Sequence, residues 1–390
     1  MKIKLGVLFG GVSVEHEISV ITAVQAMKSM DKEKYDIVPI YIDKDRNIYT
    51  GKLLMEIDSY KDMDLLKRYA KKVVFYTDNG HYYLQSLKGF KRNIDEVDIV
   101  FPIVHGSGVE DGSIAGYLET LGVPYVGPNV LSAALGQDKI MMKEVFKANN
   151  LPIVDYLWFF DFEYAMNKDE IISKINNLGY PVIIKPATLG SSVGITVVHN
   201  ENELDSAIND AISYDQKILV EKMVEKLVEV NCSVRGTSSE CETSAIEEVM
   251  SSDEILSYRD KYMGGNKTKG MANVGRIIPA RLEESELELV KELSIKVFKL
   301  LNLSGICRID FLYDKANKKL YINEPNTIPG SLSFYLWEPL GIKYKDLLDD
   351  TITTAIREYK KKQRKTYSFD TNILQNFNGL KGGKKGFKKI

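Results

Sequence analysis

Two β-rich runs near the C-terminal end constrain the fold most, IDFLY at 309–313 and KLYIN at 319–323. Only the short polar segment 314–318 separates them, so the pattern predicts a β-hairpin. Asp310 lies in the first run, and Glu324 and Asn326 directly follow the second. Side chains on adjacent hairpin strands can converge, and hard cations such as Mg²⁺ take oxygen ligands together with nucleotide phosphates. With Arg308 beside them, these residues predict a site for metal-bound polyphosphate. The alternative is a surface hairpin with solvated acids.

Length and composition limit the classes of protein. A chain of 390 residues predicts two or three domains. Its 44% hydrophobic and 27% charged content is typical of globular proteins, and a net charge of -2 gives no general reason to bind nucleic acid or membrane. Three widely spaced cysteines fit a reducing compartment. The N-terminal apolar run is too short for a signal peptide, and no run approaches a membrane span, so we expect a cytoplasmic protein.

The order of elements predicts three domains and a tail. Residues 1–130 open with a strand–glycine–helix unit and form an α/β domain with a parallel sheet. Residues 131–235 predict a small α+β domain, and 236–359 a third unit with a long helix at 283–301 and the hairpin. Residues 360–390 form a basic tail. The other predicted strands are 35–42, 97–104, 123–127, 182–186, 194–198 and 216–221. The other predicted helices are 13–28, 112–121, one that begins near 132 and carries Asp138 and Lys139, and 201–211.

Two further segments suggest ligand binding. Lys185 ends a strand, and the small-residue loop Gly190–Gly194 follows it. The N–H groups of such a loop can bind phosphate, although the sequence is not a Walker A motif, and an ordinary turn with a surface lysine is the alternative. Glu15 and His105 follow buried strands, where open α/β sheets bind ligands. The alternatives are a helix N-terminal charge for Glu15 and a packed histidine for His105.

Across residues 1–355 the chain carries, in this order, the motifs GGVSVEHEIS, HGSGVEDG, DK, KPATLGSSVG, SYRDKY, GRIIPA, CRIDF and NEPNTIPG. This order resembles the D-alanine–D-alanine ligase family. The resemblance implies a three-domain ATP-grasp architecture of α/β and α+β class, with an N-terminal Rossmann-like parallel-sheet domain. It also implies ATP, two Mg²⁺ (or Mn²⁺) ions, D-amino acid substrates and a homodimer. The implied reaction joins two D-alanines through an acylphosphate, for peptidoglycan synthesis.

The resemblance also implies a role for individual residues. The implied catalytic residues are Glu15, Ser191, Tyr262, Arg308 and Gly330, of which Glu15, Ser191 and Tyr262 form a hydrogen-bonded triad. The implied ATP-binding residues are Lys139, Lys185, Ser191, Ser192, Glu221, Lys222, Val224 and Glu229. The implied metal ligands are Asp310, Glu324 and Asn326. The implied amino-acid-binding residues are His105, Lys261, Ser333 and Tyr335. Tyr262 in particular implies an amine acceptor, and hence a dipeptide rather than a D-lactate ester.

The chain departs from the family pattern after the metal site. Tyr335 stands where the family has the serine that binds the carboxylate of the second substrate, and Leu332 stands where it has threonine. The tyrosine hydroxyl, or that of Ser331 or Ser333, is a candidate replacement. Val109 and Leu189 replace a common glycine and a common acid. These changes keep open an ATP-grasp ligase with a different acceptor, and a non-catalytic ATP-binding scaffold or sensor is the second alternative.

The basic tail is a second departure. It contains KKKQRK and GLKGGKKGFKK, with Asp370 as its only acid. One interpretation is a segment that binds an anionic partner. The other is a disordered solubilising extension, which its composition favours.

Overall fold

In the computed structural model, residues 2–86, 89, 93–250 and 275–368 are described. Their strands form three sheets of seven, four and five strands. The strands are β1 (Ile3–Gly10), β2 (Tyr35–Ile42), β3 (Ile48–Thr50), β4 (Lys71–Asp78), β5 (His81–Ser86), β6 (Asn93–Val97), β7 (Ile99–Ile103), β8 (Tyr156–Phe160), β9 (Val182–Pro186), β10 (Thr196–Val198), β11 (Lys217–Lys222), β12 (Leu227–Thr237), β13 (Cys241–Met250), β14 (Gly275–Ile277), β15 (Ser304–Asp314) and β16 (Lys319–Asn326).

The helices pack on the faces of these sheets. They are α1 (His16–Ser29), α2 (Met63–Tyr69), α3 (Ser113–Leu121), α4 (Val130–Gln137), α5 (Lys139–Ala148), α6 (Asp161–Met166), α7 (Lys168–Leu178), α8 (Glu201–Ile212), α9 (Glu284–Leu300) and α10 (Tyr344–Gln363). Short 3₁₀ segments occupy Lys52–Met55, Ile57–Lys61, Gly330–Leu336 and Glu338–Leu340. The predicted combination of α/β and α+β units is confirmed.

The N-terminal sheet is only partly parallel. Its order is β6-β5-β4-β3-β2-β1-β7, and β1 pairs in parallel with β2 and β7, whereas the pairs from β2–β3 to β5–β6 are antiparallel. The antiparallel extension was not predicted. The single strand predicted at 97–104 was wrong: Asp98 divides it, and its side chain accepts a hydrogen bond from the N–H of Lys4 at 2.7 Å. The strand predicted at 123–127 is reduced to one bridge between Val100 and Tyr125.

The helix predicted through Asp138 and Lys139 is two helices. Asp138 has extended backbone angles and ends α4, and its carboxylate accepts hydrogen bonds from the N–H groups of Ile140 and Met141, so it caps α5. An aspartate at this position satisfies N–H groups that have no partner within the helix. Lys139 therefore begins a helix rather than lying inside one.

The predicted hairpin is confirmed. β15 and β16 pair antiparallel around the turn at 315–318, and they lie at one edge of the sheet of order β14-β13-β12-β15-β16. The predicted domain boundary between residues 235 and 236 falls inside β12. By sheet membership, the division lies in the short connection between β11 and β12 instead. In the described part of the chain, no helix is long and apolar enough to cross a membrane.

Candidate active site

In the five-stranded sheet, side chains alternate along each strand, so apolar residues occupy one face and polar residues the other. Cys232, Ile309, Phe311 and Ile322 are buried in a core together with residues of α9. Successive side chains of a strand point to opposite faces, so the intervening residues face the other way. On that polar face Asp310 lies opposite Glu324, across β15 and β16. The face therefore presents the side chains that the sequence assigned to metal-bound phosphate.

The predicted metal ligands contact one another or Arg308. The carboxylate of Asp310 accepts hydrogen bonds from Arg308 Nε at 2.6 Å, Arg308 Nη2 at 2.7 Å and Asn326 Nδ2 at 2.9 Å. Burial raises the pKa of Asp310, Arg308 opposes this shift, and the nearby carboxylates of Glu324 and Glu247 add to it. Crowded carboxylates of this kind favour a bound cation. Across the described ranges, no group of three or more His, Cys, Asp or Glu residues forms a metal site. The donor set here is two carboxylates and an amide, which suits a Mg²⁺ ion that is also bound by phosphate.

Two buried lysines hold one carboxylate behind the phosphate loop. Glu221, on β11, pairs with the ammonium of Lys185 and with Lys143, whose Nζ lies 2.6 Å from Glu221 Oε1. Burial alone would raise the pKa of Glu221, but the two ammonium groups outweigh it and lower this pKa to about 2. Burial lowers the pKa of Lys143. For Lys185, the charges of Glu221, Glu324 and Glu229 outweigh burial and raise its pKa.

Lys139 links the loop that follows β9 to the end of strand β16. Its Nζ donates a hydrogen bond to the carbonyl of Leu189 at 2.8 Å and lies 3.2 Å from Glu324 Oε2. Its backbone N–H bonds the carbonyl of Ala187 at 3.0 Å. One lysine at the start of α5 therefore contacts both the loop that follows β9 and the end of β16.

Glu15 of the N-terminal domain contacts the phosphate loop. Ser191 Oγ donates a hydrogen bond to Glu15 Oε1, as the predicted triad requires. Ser191 and Ser192 have left-handed φ angles of 56° and 58°. A Cβ at Gly190 would lie 2.7 Å from Glu15 Oε2, so any side chain there would force the Glu15 carboxylate to shift. The other predicted members of this region, Lys261 and Tyr262, lie outside the described residues.

Most of the predicted nucleotide-binding and metal-binding residues line one cavity. Its walls come from α5, the loop after β9, the end of β11 and the polar face of the five-stranded sheet. The predicted site residues among its lining are Lys139, Lys185, Ser191, Ser192, Glu221, Lys222, Val224, Glu229, Asp310 and Glu324.

His105 lies outside that cavity. It is buried, and its Nε2 lies 3.2 Å from Thr22 Oγ1, which also accepts a hydrogen bond from the N–H of Ser331 at 3.2 Å. Burial, aided by the charge of Arg308, lowers the pKa of His105 to about 4, and a bond to the backbone of Ile328 opposes this shift. A neutral His105 thus adjoins the segment that begins at Gly330.

Tyr335 is held inside the protein. Its hydroxyl donates a hydrogen bond to Glu247 Oε1 at 2.9 Å, and the guanidinium carbon of Arg276 lies 4.1 Å from the centre of its ring. Ser333 is buried, and its Oγ has no hydrogen-bond partner in the described part of the chain. We expected the tyrosine hydroxyl to bind a substrate carboxylate. This conflicts with the observed contact, because the hydroxyl already donates its hydrogen bond to Glu247.

The sequence analysis missed four residues of this region. Lys143 and Glu247 are buried charges, and Arg276 covers the ring of Tyr335. Glu110 accepts hydrogen bonds from Thr327 Oγ1 and the N–H of Ile328, both at 3.0 Å. Only Lys143 had a local signal, since it lies one helical turn after Lys139 and so on the same side of α5.

Comparison with known proteins agrees with this geometry. Residues 4–128 match the family model described as "D-ala D-ala ligase N-terminus", and residues 145–353 match "D-ala D-ala ligase C-terminus". The D-alanine–D-alanine ligase of Thermosipho melanesiensis is 37% identical over 373 residues, 96% of this chain and 98% of that protein.

Solved structures are also similar. The D-alanine–D-alanine ligase from Coxiella burnetii has a TM-score of 0.79 at 29% identity, and the match covers 93% of this chain and 96% of that one. The VanG D-Ala:D-Ser ligase from Enterococcus faecalis has a TM-score of 0.76 at 29% identity, and covers 91% of this chain and 100% of that one.

Proposed function

Since this chain belongs to the D-alanine–D-alanine ligase family, we propose that it joins two D-alanines to D-alanyl-D-alanine with ATP, for peptidoglycan synthesis. The observation that carries this proposal is the convergence of Lys139, Lys185, Asp310 and Glu324 on one cavity. The loop above it carries Ser191, which bonds Glu15 of the N-terminal domain. A polyphosphate and an amino acid would therefore meet beneath this loop.

In the first step, the carboxylate of one D-alanine attacks the γ-phosphorus of ATP, which forms an acylphosphate and releases ADP. Lys139 and Lys185 bind the phosphates as point charges, and the N–H groups around Ser192 cover them. We assign the adenosine end to Lys222, Val224 and Glu229, with Glu221 behind them. Because Glu221 is already paired with two lysines, its contribution to adenine binding is mainly to fix Lys185.

Asp310, Glu324 and Asn326 are the residues that would hold two Mg²⁺ or Mn²⁺ ions. Bound there, the metal neutralises charge on the transferring phosphoryl group. The fit rests on the crowding of carboxylates at this edge of the sheet, where burial and neighbouring charges raise the pKa of Asp310.

In the second step, the neutral amine of the other D-alanine attacks the acyl carbon, and phosphate leaves. We propose that Arg308 and the N–H of Gly330 stabilise the oxyanion. The bidentate pairing of Arg308 with Asp310 holds the guanidinium in place. Glu15 is assigned to the ammonium of the first D-alanine, with His105, Lys261 and Ser333 near the amino acids. The Ser191–Glu15 contact excludes water, which would hydrolyse the acylphosphate.

One observation favours a second candidate, a D-alanine ligase with a different acceptor. Tyr335 replaces the expected serine, and its hydroxyl is bonded to Glu247. The E. faecalis protein in the comparison is itself named a D-Ala:D-Ser ligase. A non-catalytic scaffold is disfavoured, because it would not require two phosphate lysines together with a set of metal-binding oxygens.

The test is phosphate release with ATP and Mg²⁺ across a panel of D- and L-amino acids and D-lactate, with the product identified by mass. We expect D-alanyl-D-alanine to dominate near pH 8, including in a mixture with D-lactate. A product containing D-serine or another second residue would favour the second candidate, and a predominant ester would contradict the amine preference inferred from Tyr262. Inactivity with every substrate would favour the scaffold.

The remaining assignments are also proposals. We propose that the protein is cytoplasmic, supported by three cysteines that are all unpaired, and that it is a homodimer, as the resemblance to the family implies. Helix α10 continues to Gln363, so the basic tail begins after it rather than at Lys360. This tail is proposed to be a solubilising extension, with an anionic partner as the alternative. Gel filtration with light scattering tests the dimer.

A further inference from the structure

Arg276 lies on the short edge strand β14, beside the predicted amino-acid site. It pairs with Val249 of β13, two residues from Glu247, and is therefore on the same face of the sheet as Glu247. Its guanidinium carbon is 4.1 Å from the centre of the Tyr335 ring, and its Nε is 3.5 Å from Glu247 Oε2. The aromatic ring and the carboxylate hold the guanidinium in one place.

Within the described part of the chain, Arg276 uses little of its hydrogen-bonding capacity. A guanidinium has five N–H donors in a planar fork. One flat face is covered by the Tyr335 ring, and the ion pair with Glu247 uses the Nε edge at a distance longer than a hydrogen bond. Among the described residues, no side chain or carbonyl accepts a hydrogen bond from this guanidinium. The remaining fork matches the geometry of a carboxylate, which it can bind in a bidentate manner.

The surroundings connect this fork with the reaction centre. Burial raises the pKa of the Tyr335 hydroxyl, and the charges of Arg308, Glu247 and Arg276 also act on it, so Tyr335 lies near both arginines. Tyr335 stands at the position from which a serine is expected to bind the carboxylate of the second amino acid. Its hydroxyl bonds Glu247 instead, so this position now provides an aromatic surface rather than a donor.

We propose that Arg276 binds the carboxylate of the second amino acid, with the Tyr335 ring as its platform and Glu247 as its anchor. The inference rests on the proposed ligase function and names the acceptor contact of that same site. Glu247 is buried and also accepts a hydrogen bond from Asn231 Nδ2 at 2.9 Å. This bond fixes the anchor against β12, so the guanidinium is positioned before the substrate arrives.

The test compares two acceptors that differ only in the group Arg276 would bind. With D-alanine as donor, D-alanine and D-alaninamide compete as acceptors, and mass spectrometry gives the ratio of the two products. In Arg276→Gln, we expect the preference for D-alanine over the amide to fall by about 10- to 100-fold, as for loss of a hydrogen bond to a charged group. Intrinsic differences between the two amines cancel, because they are the same for both proteins.

Arg281→Gln is the matched control. Arg281 lies five residues further along, pairs with Glu248 and has a side chain that is 62% exposed. We expect this variant to keep the wild-type product ratio. Arg276→Lys keeps the charge and loses the planar fork, so its ratio should fall between wild type and Arg276→Gln. If Arg276→Gln does not fold, the product ratio of Arg276→Lys is compared with that of the wild type instead.

The outcomes separate this inference from the ligase function. A wild-type protein that forms no dipeptide would refute the proposed function, and this inference with it. A wild-type protein that ligates, together with Arg276 variants that are slower but keep the wild-type product ratio, would overturn the inference alone. An equal drop of the ratio in Arg281→Gln would overturn it as well, because the effect would then not be specific to the fork.

Discussion

Replacing Lys143 by methionine tests the charge arrangement behind the phosphate loop. Lys143 is 1% exposed, and its ammonium lies 2.6 Å from Glu221 Oε1, while Lys185 pairs with the other oxygen of the same carboxylate. The three groups carry a net charge of +1. Methionine keeps the length of the side chain and removes the charge, so Glu221 would then neutralise Lys185 completely.

The magnitude follows from burial. Removing one partner of a buried ion pair typically costs about 3–5 kcal/mol, because the other charge is left buried without compensation. Glu221 retains Lys185, so we expect the low end, about 3 kcal/mol of the free energy of unfolding. ATP affinity should also decrease, because Lys185 would offer the phosphates less net positive charge.

Urea unfolding followed by tryptophan fluorescence measures the first effect, and calorimetry with ATP measures the second. Lys147→Met is the control: Lys147 is exposed, and its ammonium lies 5.6 Å from the ring of Tyr156, which Lys143 also contacts at 5.4 Å. The control should change stability by less than about 0.5 kcal/mol. A loss below about 1 kcal/mol in Lys143→Met, with unchanged ATP affinity, would refute the reasoning.

Three further predictions concern the same cavity and its border. Glu324→Gln should reduce turnover more than tenfold at saturating Mg²⁺ with the fold intact by circular dichroism, since it removes a charged oxygen donor; retention of more than a tenth of the rate would count against the assignment. Lys185→Ala should weaken ATP binding in calorimetry, whereas an unchanged Kd would indicate a structural lysine. Burial, aided by the charge of Glu15, raises the pKa of Glu110 from 4.5 to about 7. The folded protein therefore holds a proton that the unfolded chain releases, and stability should fall by about 3 kcal/mol from pH 4.5 to 7. Glu110→Gln should lack this dependence in urea titrations at pH 5 and 8, and a variant with the full wild-type slope would contradict the assignment.

Sequence predicted the metal-site hairpin because its signals are local. The alternation in β15 and β16 and the polar turn between them are set by neighbouring residues, and they bring the two strands together. The pairing of Asp310 with Glu324 also needs a shift of register between Asp310 and Phe311, which the alternation does not predict. The loop after β9 is similar, since its signal is a run of small residues, of which Ser191, Ser192 and Gly194 adopt left-handed φ angles. Local patterns therefore identified side chains that the structure brings together around one cavity.

The acceptor side could not be predicted in the same way. Tyr335, Glu247 and Arg276 come from three separate elements, and no spacing relates them. A tyrosine in place of serine suggested a longer hydroxyl donor, whereas the structure bonds this hydroxyl to a carboxylate 88 residues away. The break between α4 and α5 at Asp138 could not be predicted either. An aspartate within an apolar helical pattern is compatible with a helix interior and also with a cap between two helices.

The polar face of the five-stranded sheet also explains why substrates and cations should bind together. Glu247, Asp310 and Glu324 lie at one level across the sheet, through the pairings of Asn231 with Glu247 and with Asp310. Each of these carboxylates forms an ion pair: Glu247 with Arg276, Asp310 with Arg308, and Glu324 with Lys139. A phosphate that takes Lys139 would draw this cation away from Glu324, which lies beside Asp310, and like charges so close are unfavourable. Nucleotide that arrives with a divalent cation avoids this cost, so ATP affinity should depend strongly on Mg²⁺ in the wild-type protein and only weakly in Glu324→Gln.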